Sequence, residues 1–245
     1  MAYAGMCAPD VQGNSDPHFH AVSIAQMTTF VMNGGNCSTN TPNDNVAPVV
    51  NAGVNYVIPK GTAFVLKGIA SDANNDALTY CWEQINNQIS TQPPLATSTS
   101  GPNFRSRPPS TSPNRYMPIF SEVLAGNLTP SWEVVPNVAR SMSFALTVRD
   151  NRAPNGGQTK RDDMNLTGSN FGTFIITSPA AENVTWEKGS TQTVTWDVAG
   201  TTGNNINTAN VNILLSTDGG VTFSPLVSNT PNDGSEAITL PNIAS

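Results

Sequence analysis

Apolar residues first recur at three-to-four spacing. In NSDPHFHAVSIAQMTTFVMNGG, Phe19, Val22, Gln26/Met27 and Phe30 fall on one face and predict a single amphipathic helix. Asp16 suits its N-cap, Pro17 its first turn, and Asn33-Gly34-Gly35 its end. A polar, proline-containing linker follows over roughly residues 36–48. The period then changes to two. TAFVLKGIAS, ALTYCWEQ and SFALTVRD alternate as strands, with Leu78, Tyr80 and Trp82 on one face of the second and Thr79, Cys81 and Glu83 on the other. Phe144, Leu146 and Val148 do the same in the third. Between them, residues 90–118 are rich in Pro, Ser and Thr and read as too irregular for a core element. A second strand series begins near Phe171 with FGTFIITSP, QTVTWDVAG and NVNILLSTDGG. Val194, Trp196 and Val198 face its core, and Asp218-Gly219-Gly220 bends a hairpin. The expectation is a mainly β chain: a helix-bearing segment over 1–41, then two Ig-like β-sandwich domains over 42–168 and 169–245. A sandwich of this type has about seven strands, so the five or six in the second mark it as cut short.

Composition narrows the setting. Only 11% of residues are charged, well under the usual quarter, and Asn, Thr, Ser, Gly and Pro fill the gap. That balance favours a secreted, extracellular β protein. The net charge is −6 and no Lys/Arg cluster exists to meet phosphates, which argues against nucleic acid as a partner. No run of about 18 apolar residues predicts a membrane span. Residues 10–16 are polar where a signal peptide would be apolar. The three cysteines, Cys7, Cys37 and Cys81, form no C-x-x-C pair.

Few residues carry candidate chemistry. His18 and His20 are the only histidines, and at i and i+2 of a helix start they point to different faces, so they are not expected to share a metal. Residues 72–83 place Asp72, Asn74, Asp76 and Glu83 at EF-hand positions 1, 3, 5 and 12, but Ala77 stands where the loop needs glycine. Two readings remain: an Asx-rich turn, or a calcium site of Asp72, Asn74 and Asp76 shared with another loop. Arg149-Asp150-Asn151 and Arg161-Asp162-Asp163 hold further oxygens. STDGGVTF has the order of an Asp-box, in which Ser216 and Asp218 tie the hairpin to its own backbone. No G-x-S-x-G elbow is present.

The run MAYAGMCAPDVQGNSDPHFHAVSIAQM resembles the Met-turn and last helix of a metzincin zinc peptidase, and most closely the reprolysin-like peptidases of secreted bacterial proteins. IPKGTAFVLKGIASDANNDALTYCWEQ, GPNFRSRPPSTSPNRYMP, FALTVRDN and VTWDVAGT…VNILLSTDGG resemble the β-sandwich modules that follow the peptidase there. The resemblance implies that residues 1–41 are the end of a catalytic domain. Met1 would be the hydrophobic floor beneath the zinc, Tyr3 an added zinc ligand, and Ala4 and Gly5 part of the S1′ wall. The zinc motif H-E-x-x-H-x-x-G-x-x-H would lie upstream, and none of it is in this chain. The chain is then expected to be a fragment of a secreted zinc-dependent endopeptidase that acts on protein or peptide substrates, and inactive by itself. The rival reading is a non-enzymatic adhesion module that grips protein or glycan. Cys7 precedes the helix and Cys37 follows it, so a helix lying back across the first segment is expected to bring them into a disulfide, with Cys81 left as a buried thiol.

Overall fold

The longest period-two runs make the longest strands. In a computed structural model, which describes residues 4–35, 37, 39, 41–153, 156–181 and 183–242, the chain is mainly β, with 33% strand and 8% helix. It divides into two compact units. The first takes the chain as far as Tyr56 and again Ala63–Gly168; the second takes Val57–Thr62 and the described residues from Ser169 onward.

In chain order the elements are α1 (Ala21–Asn33), β1 (Val49–Asn51), β2 (Tyr56–Pro59), β3 (Phe64–Lys67), β4 (Ile69–Ser71), β5 (Thr79–Gln84), β6 (Asn114–Met117), α2 (Phe120–Leu124), β7 (Arg140–Arg149), β8 (Thr159–Ser169), β9 (Ile175–Ser178), β10 (Thr191–Asp197), β11 (Asn210–Leu215), β12 (Ser224–Pro231) and β13 (Ser235–Thr239).

Within the first unit, β7 is the spine. It pairs antiparallel with β5, setting Trp82 opposite Leu146, and with β8, setting Phe144 opposite Met164. Smaller antiparallel pairs join β1 to β4 and β3 to β6. Phe144, Leu146 and Val148 are fully buried, with Met117, Met142, Trp82 and Phe104 around them. Alternation on β5 predicts one wet face, yet Cys81, Trp82 and Glu83 are all buried. The reason is the stretch over 90–118, which packs across β5 rather than hanging off it. Gln84 Oε1 accepts the backbone N–H groups of Asn103 (2.7 Å) and Phe104 (3.1 Å), and Trp82 Nε1 donates to the Pro113 carbonyl (2.9 Å). Side chains and the backbone of Tyr80 satisfy its backbone groups, and Asn114–Met117 within it forms β6, so a stretch expected to be too irregular for the core contributes Phe104 and Met117 to it.

The helix forms, but not where its cap chemistry points. α1 begins at Ala21, with His20 in extended backbone at φ −72° and ψ 157° as N-cap and no side-chain cap bond. Glu83 on β5 supplies the missing acceptor: its Oε2 takes the Ala21 N–H at 2.7 Å. A carboxylate there also suits the positive end of the helix. Asp16 is bonded instead to Gln12 and His20. The apolar face read from the sequence does not turn inward either. Phe19 is 57% exposed, Val22 51% and Phe30 68%. Ala21, Ile24, Ala25 and Thr28 face Thr147 and Lys160 across a small cavity.

In the second unit, β10 lies between β13 and β9. Val194, Trp196 and Ile238 form its core, with Phe174, Trp186, Val211 and Ile213 packed against them. Trp196 Nε1 donates to Asn232 Oδ1 at 2.8 Å, and Asn232 donates to Thr201 Oγ1 at 2.7 Å, a buried polar bond set across the core. β11 and β12 form the expected hairpin. Val57–Thr62 is stitched in by Thr62 Oγ1, which accepts the Phe174 N–H at 3.0 Å, and by Lys60 Nζ, 3.2 Å from Asn170 Oδ1.

Candidate functional site

The acidic turn after β4 is the best-formed candidate. Asp72 Oδ1 accepts the backbone N–H groups of Asn74 (2.9 Å) and Asp76 (3.0 Å), and Asn75 takes the left-handed conformation at φ 60°. The Asx turn predicted from the sequence is therefore built from the first carboxylate's own oxygen. This leaves Asp72 Oδ2 and Asp76 Oδ2 buried with no hydrogen-bond partner.

The third group comes from the end of β7. Asp150 is 1% exposed, and its carboxylate ties the following loop by accepting from Gln158 N (2.8 Å), Arg152 N (3.2 Å) and Asn45 Nδ2 (2.8 Å). One carboxylate oxygen each from Asp72, Asp76 and Asp150 lies within 4.8 Å of the others. Among the described residues, no ion pair falls on any of the three. Like charges held this close without a cation repel, and two of them carry an orphaned oxygen. Oxygen-only donors in a loop are the ligand set of a hard cation such as calcium.

The sequence placed Asn74 in this set. Here its amide is spent elsewhere: Oδ1 accepts Val46 N at 2.9 Å and Nδ2 donates to the Asp44 carbonyl at 3.2 Å. Asp150 stands in its place, from one of the two downstream motifs. The other motif goes elsewhere: Asp162 accepts the Ala52 N–H and Asp163 pairs with Arg161 at 2.6 Å.

Of the residues tied to the peptidase resemblance, Met1 and Tyr3 lie outside the described residues. Ala4 lines a cleft of about 650 Å³ with Asp16, His18, His20 and Arg105. Gly5 sits at φ +72° with Gly13 directly against it, since a Cβ there would come 2.7 Å from the Gly13 oxygen. Its role in the structure is a tight turn. Cys7 and Cys37 are both free and exposed, not joined in the expected disulfide, and Cys81 is buried. Burial pushes the Cys81 thiol up to about 11. The Asp-box is as expected: Asp218 accepts from Thr222 Oγ1 (2.6 Å) and Thr222 N (2.9 Å), and Ser216 Oγ accepts Gly220 N at 2.7 Å.

One polar centre had no signal in the sequence. Glu133 is 1% exposed; Arg107 Nε lies 2.7 Å and Arg115 Nη2 3.3 Å from its Oε1, and its Oε2 accepts Ile119 N at 2.9 Å. Burial lowers the Arg115 pKa, and the Glu133 charge works against that. This centre fastens the 90–118 stretch internally and presents no free ligand atom on Glu133.

Comparison with known proteins returns nothing: no family model, no curated protein and no solved structure matches the chain.

Proposed function

We propose that the chain is a non-catalytic, calcium-stabilised β segment of a secreted zinc endopeptidase. The observation that carries this reading is the convergence of Asp72, Asp76 and Asp150, two of them with a buried oxygen that nothing satisfies. Calcium bound there would neutralise the cluster and join the turn after β4 to the loop after β7. Asp72, Asp76 and Asp150 would each give an oxygen, with water completing the six to eight ligands the ion takes.

The zinc of the resembled family does not fit the residues present. It needs three histidines, and this chain has two. No catalytic step is therefore assigned to this chain. The parentage is supported by the sequence resemblance and by the exposed apolar face of α1, which in a catalytic domain would be covered.

The test joins the chain to the coding sequence that precedes the Met1 codon in its gene. A casein or quenched-peptide assay on the present chain is expected to show no turnover with or without zinc. The extended protein is expected to gain zinc-dependent turnover. An upstream sequence without a zinc-binding motif would sink the peptidase reading and leave a binding or adhesion module.

A further inference from the structure

The two histidines were expected to diverge, because a helix sends i and i+2 to different faces. They precede α1 instead. His20 has extended backbone, and extended chain sends i and i+2 to the same side. The rings lie with centroids 5.2 Å apart at 68°. Asp16 joins them: its Oδ2 is 3.2 Å from His20 Nε2. One ligand atom from each of Asp16, His18 and His20 lies within 4.8 Å of the others, at the wall of the 650 Å³ cleft.

We infer that Asp16, His18 and His20 form a binding site for a divalent transition metal of the zinc class, distinct from the calcium cluster. Two observations converge on it. First, both ring nitrogens of His18 are buried with no hydrogen-bond partner. An imidazole buried this way loses bonds it would make in water, and a metal ion restores one. Second, ligands at zinc's bond lengths of about 2.0–2.2 Å in a tetrahedron stand about 3.3 Å apart, the separation Asp16 and His20 already have.

Two imidazoles and one carboxylate suit zinc, cobalt or nickel over calcium or magnesium. Glu83 Oε1 stands 3.9 Å from His20 Nε2, but both its oxygens are engaged, by Ser106 Oγ (3.0 Å) and Ala21 N. It caps the helix rather than ligating, and water completes the shell. Asp16 is bonded to Gln12, and Arg105 donates to the Val11 carbonyl at 3.3 Å. A metal here would lock residues 16–20 in the extended conformation that precedes α1. The site rests on neither the calcium reading nor the peptidase parentage.

The test uses the untagged full chain with Cys7→Ser and Cys37→Ser, so that exposed thiols do not compete for the ion. Zinc chloride is titrated by calorimetry, and cobalt(II) is added separately to read coordination from its visible absorption. One equivalent of zinc is expected to bind, with a cobalt spectrum of four-coordinate nitrogen and oxygen ligands. His18→Ala and His20→Ala should each weaken binding by at least about tenfold. Asp72→Asn should leave zinc binding unchanged. Near-ultraviolet circular dichroism confirms that each variant is folded. Absence of saturable zinc binding, or stoichiometric binding that survives His18→Ala and His20→Ala together, would overturn the assignment.

Discussion

Asp76→Asn separates a cation site from a decorated turn because its two effects have opposite signs. The change keeps the backbone N–H that bonds Asp72 Oδ1 and removes one charge of three within 4.8 Å. A pair of unit charges at that distance repels by about 3 kcal/mol at an effective dielectric of about 20. Asp72 and Asp76 are partly open to water, which leaves on the order of 1 kcal/mol. In chelator, Asp76→Asn is therefore expected to match or exceed the parent chain in stability. With calcium at about 100 times its dissociation constant, the parent gains about 2.7 kcal/mol, which raises the melting temperature by roughly 5–10 °C for a unit of this size. The variant should lose most of that gain. The assay is thermal unfolding followed by circular dichroism, with calcium, with magnesium and with chelator. An unchanged parent melting temperature on adding calcium would refute the reasoning. So would an Asp76→Asn penalty that is equal in calcium and in chelator.

Glu133→Ala should cost about 3–5 kcal/mol in urea unfolding, because it strands Arg115 in the interior, and Glu133→Gln should cost less; a loss under about 1 kcal/mol would contradict the buried centre. Alkylation of the native protein at mild alkaline pH should label Cys7 and Cys37 and spare Cys81, whose thiol is buried and raised to about 11; equal labelling of all three, read by mass spectrometry, would refute this. Asp218 is held down to about 2 from an ordinary 3.8 by the Thr222 hydroxyl, then by the Thr222 and Ser216 backbone and side-chain bonds. Since the folded value is the lower one, its contribution to the hairpin is complete above about pH 4 and is lost as pH falls through about 2. Carboxyl titration by NMR checks it, and Thr222→Val should move the midpoint back up.

What was legible in the sequence was local. The alternation of SFALTVRD and QTVTWDVAG marks β7 and β10, and the Ser216 to Thr222 turn contains every partner it uses within four residues. What was missed depends on contacts across long stretches of chain. The start of α1 is set by Glu83, 62 residues from Ala21, so the good local cap at Asp16 lost to a distant carboxylate. The helix expectation then carried His18 and His20 to opposite faces, when the extended backbone before Ala21 brings them together. The burial of Phe104 follows from bonds to Gln84, for which no periodicity exists to be read. Asp150 joins the acidic cluster where Asn74 was expected, because Asn74 fastens Val46.

The borrowed segment Val57–Thr62 has a consequence for how the protein is made. It emerges from the ribosome before the whole Ala63–Gly168 part of the first unit, yet its partner Phe174 lies 112 residues after Thr62. At 5–20 residues per second, that partner is not synthesised for on the order of ten seconds. During that interval the Thr62 hydroxyl is without the Phe174 N–H it will receive. The second unit is thus assembled from two separated stretches of the chain. A truncation that begins at Ser169 would lack the Thr62 hydroxyl that receives Phe174.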